Sequence, residues 1–85
     1  MKNELDSLFL LRVFDKIRQH GERENEQFKL IGITAYTDHD GYTLFIEDVH
    51  VKLRFGFHNQ YHYDYTSSSH LEAFEKKLKK IEKDY

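Results

Sequence analysis

A two-layer α+β fold, with two helices on one face of an antiparallel meander, is what this sequence predicts, and three features predict it. The stretch from residue 5 to 17 carries apolar residues at helical spacing. Residues 28–58 alternate apolar and polar side chains between turn-forming clusters. The last stretch, from Ser69 onward, is again helical in period. At 85 residues the chain makes one domain, 1–85, whose core must draw on nearly every large apolar residue. Seven Phe and six Tyr supply much of it, each ring carrying a large burial term.

The first helix is expected near residues 3–20. Asn3 can cap it, and Glu4 and Asp6 suit the positive end of the helix dipole. Leu5, Phe9, Leu10, Val13, Phe14 and Ile17 fill one half of the helical wheel. Gly21 is placed to end it, with Arg18 and His20 in the last turn. Leu8 and Leu11 fall on the other side, roughly 150° from the centre of the core stripe. A helix that is apolar on two sides is usually buried on two sides, and a two-layer monomer has no third layer. Leu8 and Leu11 are therefore the candidate interface of a homodimer, against the simpler reading that isolated leucines are commonly exposed.

Residues 21–27, GERENEQ, read as a polar connector. Residues 28–37 read as one strand, Asp38-His39-Asp40-Gly41 as a turn, and Tyr42–Glu47 as a second strand. Val49, Val51, Leu53, Phe55 and Phe57 alternate with polar residues along a third. A four-residue loop at 38–41 sets Ala35 opposite Leu44 and Ile33 opposite Ile46. A tight turn at Asp48-Val49 sets Ile46 opposite Val51 and Leu44 opposite Leu53. Each pairing leaves one uniformly apolar face, which a one-residue slip would destroy. Ile33, Leu44, Ile46, Leu53 and Phe55 form its expected centre. Tyr61, Tyr63 and Tyr65 alternate with His62 and Asp64, so this stretch is either a fourth strand, with Asp64 beside Arg54, or a Tyr-rich irregular loop. Ser69-His70-Leu71-Glu72 reads as a capping box. It opens a second helix over 69–83, in which Leu71, Phe74, Leu78, Ile81 and Tyr85 share an arc of roughly 80°.

Composition narrows the function classes. With 13 basic and 15 acidic residues the formal charge is −2, without the basic excess that marks nucleic-acid binders. No Cys is present, which removes disulfides and thiolate metal sites. The N-terminal residues do not read as a signal peptide. The longest apolar run, Leu8–Leu11, is far short of the ~20 residues a membrane span needs. The expectation is a cytoplasmic protein that does not engage a membrane.

The order helix, three strands, helix resembles that of the double-stranded RNA-binding domain along nearly the whole chain. In that family the first helix, the loop between the first two strands and a Lys-rich start of the last helix hold RNA. His39 matches the family's loop histidine, but Asp38 and Asp40 flank it. The last helix starts Ser69-His70-Leu71-Glu72-Ala73 without the lysine cluster, and Lys76, Lys77, Lys79 and Lys80 follow later. The resemblance thus implies the topology without the binding motif. The segments DHDGYTLFI and FHNQYHYDY are similar to a family of short bacterial proteins of unknown function, a likeness that implies no activity.

The open face of the sheet is the candidate binding surface. Tyr36, Thr43 and Arg54 are expected in one row and Thr34, Phe45 and Lys52 in the next. Tyr36, Phe45, Lys52 and Arg54 combine rings and cations suited to stacking on bases and neutralising phosphates. Ordinary cross-strand pairing explains the same residues. His58, His62 and His70 with Asp64 do not have metal-ligand spacing on a turn or strand, so no metal or cofactor is expected. His62, Asp64 and Ser67–Ser69 include the residue types of a catalytic triad without a nucleophile elbow. Asp38–Gly41 is too short for a calcium loop. The sequence therefore points to a non-enzymatic interaction protein working through protein–protein contacts, with a protein partner or a second copy. The alternative is a nucleic-acid-binding module that uses the open sheet face.

Overall fold

The computed structural model of the chain describes residues 7–39, 41, 43–56 and 61–85. Among them, two helices, α1 (Ser7–His20) and α2 (Ser68–Asp84), enclose in sequence six strands. These are β1 (Glu22–Glu24), β2 (Gln27–Leu30), β3 (Ile33–Thr37), β4 (Thr43–Glu47), β5 (Val51–Gly56) and β6 (Tyr61–Tyr65). The strands form one antiparallel meander in sequence order. The expected α+β class and element order hold, but the sheet is wider than the three or four strands expected. With it goes the three-stranded order that resembles the double-stranded RNA-binding domain.

One of the added strands comes from the reading of residues 28–37. Residues 28–37 are not one strand but a hairpin, folded at Ile31-Gly32. Both residues have positive φ, 45° and 84°, as a two-residue link between strongly twisted strands requires. The apolar positions carry the mark of this turn. Phe28 and Leu30 are even, Ile33 and Ala35 are odd, and a continuous strand cannot present both sets on one face. The expected connector is also structured. Glu22–Glu24 pairs with Gln27–Lys29 around Asn25 at φ 58°, a left-handed position that Asn tolerates. All three residues of β1 are exposed, so no apolar alternation signals it. Gly21 is not the left-handed helix terminator expected of it. A Cβ there would lie 2.5 Å from the carbonyl oxygen of Lys29 and 2.6 Å from that of Ile17. Glycine instead lets the end of α1 lie directly against β2.

The expected pairings are each displaced by two residues. Ala35 faces Ile46 rather than Leu44, and Ile46 faces Leu53 rather than Val51. The cause is loop chemistry. The Asp38 N–H donates to the Thr43 carbonyl at 2.9 Å, so six residues, not four, separate Thr37 from its partner Leu44. At the next turn the Asp48 N–H donates to the Val51 carbonyl at 2.9 Å. The Asp48 carboxylate accepts from the N–H groups of His50 and Val51, both at 2.8 Å, which makes a four-residue turn. Val49 thereby leaves the strand and stands 91% exposed at the tip. Asp64 faces Lys52, not Arg54, by a third displacement of two. Phe57 and His58 lie outside the described residues, as do Met1–Asp6 with the expected Asn3 cap. Because side chains alternate with a period of two, all three displacements leave the apolar face intact.

That face is covered by both helices. Leu10, Val13, Phe14 and Ile17 of α1 and Phe74, Leu78 and Ile81 of α2 form one core with Ile33, Ala35, Ile46, Val51, Leu53 and Phe55. Leu44, expected at the centre, is only partly buried against it. The helices are also tied to each other. Arg12 Nε donates to Glu82 Oε2 at 3.2 Å, and Lys16 Nζ donates to the main-chain carbonyl of Glu82 at 2.6 Å. The cap of α2 is Ser67 rather than Ser69. The Ser67 hydroxyl accepts from the His70 N–H at 3.3 Å, which satisfies a donor that the first turn otherwise leaves open.

Two stability measurements check this account. Leu53→Ala, at a fully buried centre with no room to collapse, should lose ~2–5 kcal/mol in denaturant melts. Ile31→Asn should gain about 1 kcal/mol, because a β-branched residue in the left-handed region is strained and Asn is not.

Candidate functional site

The displaced pairings rearrange the open sheet face. One row runs across all six strands as Glu22, Lys29, Thr34, Glu47, Lys52 and Asp64. Its charges alternate, so cations and carboxylates screen one another. Lys52 Nζ lies 3.9 Å from Glu47 Oε1, and Lys29 Nζ lies 3.2 Å from Glu24 in the neighbouring row. The second row is Tyr36, Phe45, Arg54 and His62. The fold therefore gathers Tyr36, Phe45 and Arg54 into one row and leaves Lys52 in the other. All four point away from the helices.

Tyr36 and Phe45 occupy one another. Their rings stack with centroids 4.8 Å apart and planes 8° from parallel. The Tyr36 hydroxyl donates to Glu47 Oε1 at 3.0 Å. Burial of the ring, then the hydrogen bond and charge of Glu47, then the charge of Asp38, push the Tyr36 pKa up to about 12. Phe45, Lys52, Arg54, His62 and Asp64 line a shallow depression beside this pair. It offers one aromatic edge and mixed charge, with a carboxylate at its rim.

On α1, Leu8 is 66% and Leu11 45% exposed, on the side of the helix away from the sheet. They lie among charged groups: Arg12, whose guanidinium sits 6.0 Å from the Phe9 ring centroid, and an Arg18–Asp15 ion pair. Of the histidines expected together, His58 lies outside the described residues, and His62 and His70 are apart. His62 faces Arg54 on the open side of the sheet, while His70, in the first turn of α2, stacks on His50 with centroids 3.8 Å apart. Among the described residues no three His, Asp or Glu side chains converge as metal ligands. Of the serines that follow His62 and Asp64 in sequence, Ser67 caps α2 and Ser69 lies with its hydroxyl 2.9 Å from that of Ser67.

Sequence reasoning missed the His50–His70 pair, whose members are twenty residues apart and meet only through the β4–β5 turn. It also missed Ile31 and Val49, exposed apolar residues at two hairpin tips that border one groove with His20, Glu22 and Asp48. The parity change around Ile31-Gly32 was the available signal for the first tip.

Fold and surfaces together define a small α+β domain with a helix-covered core, a charge-alternating open sheet face and an apolar patch on the back of α1. The chain belongs to a family described as "Protein of unknown function (DUF3081)", whose model matches residues 5–85. No curated protein and no solved structure matches it. No helix among the described residues is long and apolar enough to cross a membrane.

The Tyr36 environment predicts an alkaline signature. A pKa raised above the unfolded value of 10.0 means that the neutral phenol's contribution to stability is complete below pH 10. It is lost as pH climbs through 12. Melting temperature followed from pH 9 to 12 should fall more for the wild type than for Tyr36→Phe. A phenolate absorbance titration should lose one tyrosine ionising near pH 12 in that variant.

Proposed function

We propose that this chain is a non-enzymatic interaction protein whose contact with other proteins centres on the back of α1. The observation that carries the reading is the exposure of Leu8 and Leu11 on a helix whose other side is already committed to the core. Covering two leucines contributes at most ~3–6 kcal/mol before the costs of association. That scale suits a modest, reversible contact in which neighbouring charged groups help set the partner's orientation.

The nucleic-acid reading of the open face draws less support. The stacked pair Tyr36–Phe45 leaves little free ring face for a base, and carboxylates alternate with the lysines along the row where phosphates would run. A strand of phosphates gains most from cations that lack such neighbours.

Affinity capture from native lysate, with and without nuclease, tests the proposal on wild type, Leu8→Asp and Leu11→Asp. The expected result is a protein partner retained after nuclease and lost in both variants, with their circular dichroism unchanged because both positions are exposed. Nuclease-sensitive capture that ignores the leucines, and that disappears in Arg54→Ala or Lys52→Ala, would instead favour the nucleic-acid module.

A further inference from the structure

Two apolar residues stand where folding does not ask for them. Ile31 has a φ of 45°, a left-handed conformation that strains a β-branched residue. Its side chain is 39% exposed, so little burial offsets the strain, and Asn or Gly would make the same turn without it. Val49 is almost wholly exposed at the tip of the β4–β5 turn. The hydrogen bonds of that turn run among Asp48, His50 and Val51, and the Val49 side chain takes no part in them. Backbone strain of the kind seen at Ile31 persists at binding sites, where it holds a side chain in a required place.

The two tips belong to alternate turns of the meander and so lie at the same end of the sheet. Both line one groove of about 710 Å³, a volume within the range of natural ligand sites. Thr34, the smallest side chain of its row, stands between Lys29 and Glu47 and leaves room above it. Apart from His20, the ionisable groups that line the groove are Glu22, Glu47 and Asp48 against Lys29. That one ammonium already lies 3.2 Å from Glu24. Glu47 takes the Tyr36 hydroxyl proton donor and stands 3.9 Å from Lys52. Asp48 accepts main-chain N–H groups, neutral donors that bring no countercharge. The groove is thus apolar at its two tips and short of cations along its wall.

We infer that this groove seats a segment of a partner protein in which an arginine is flanked by aliphatic residues. The guanidinium lies beside Glu47 and Asp48, and the flanking side chains lie against Ile31 and Val49. Arginine meets both demands at once. Its planar fork pairs with carboxylates, and its apolar stem covers aliphatic surface. Charge complementarity of this kind selects the partner and sets its orientation. A phosphate backbone has the wrong sign for the same wall. The groove is separate from the back of α1, and either contact can fail without the other.

Titration followed by amide chemical shifts tests the groove with three capped peptides. The first is Gly-Ser-Leu-Arg-Leu-Ser-Gly; the second has Glu in place of Arg, and the third has Ser in place of both Leu. The first should move Ile31, Thr34 and Val49 together and saturably. It should bind at least about tenfold more tightly than either of the others. Val49→Ser and Glu47→Gln should each weaken it about fivefold. Ile31→Asn gives the sharpest result, because its stability should rise while its affinity falls, a combination that loss of fold cannot produce. If Ile31→Asn is not the more stable protein, Val49→Ser and Glu47→Gln carry the test. No saturable movement at millimolar peptide would overturn the inference. So would equal binding of the second or third peptide, or variants that bind as tightly as the wild type. Shifts centred on Leu8 and Leu11 would place the peptide on α1 instead.

Discussion

Everything in this molecule hangs on one apolar sheet face being long enough to seat two helices side by side. The row Phe28, Ala35, Ile46, Leu53 and Tyr63 crosses five strands. Ala35 and Ile46 sit at its middle with no solvent exposure. Through its packing contacts α1 lies against β2 and β3 while α2 lies against β5 and β6, so neither helix could be buried on a three-stranded sheet without displacing the other. Strand β2 before β3 and strand β6 after β5 are what make the platform wide enough. In a chain of this size, with no cysteine to form a disulfide, that shared core is the chief source of stability.

Polar chemistry finishes what packing starts. Asp48 organises its turn by accepting two main-chain N–H groups, Ser67 caps α2, and Arg12 and Lys16 join the helices through Glu82. Each is a local device, yet the first has a long reach. By making the β4–β5 turn four residues long, Asp48 fixes which side chains meet across the open face. Lys52 therefore faces Glu47, while the bond from Asp38 to Thr43 in the preceding loop sets Tyr36 opposite Phe45. A face that reads in sequence as rings and cations is, once paired, a set of internally balanced neighbours.

The surfaces left over differ in kind. The back of α1 offers side-chain area and nothing directional. The open sheet face is the reverse: its rings stack on each other and its lysines face carboxylates, so direction is there but little unengaged area.

The periodicities of the chain determined the class and the sidedness of the fold. A period of 3.6 residues placed Leu10, Val13 and Ile17 inward and Leu8 and Leu11 outward. A period of two placed Leu53 and Phe55 on the core face with Tyr63, and Tyr36, Phe45, Lys52 and Arg54 on the other, whatever the exact pairing. What periodicity cannot determine is any displacement by two, because such a slip preserves every facing. The loop hydrogen bonds of Asp38 and Asp48 decided that, and with it which residues became neighbours on the open face. Nor could periodicity reveal β1, whose residues bury nothing and are held by main-chain pairing alone. Tertiary structure decided the neighbours because contacts across strands depend on turn geometry, and turn geometry depends on a few hydrogen bonds that composition does not encode.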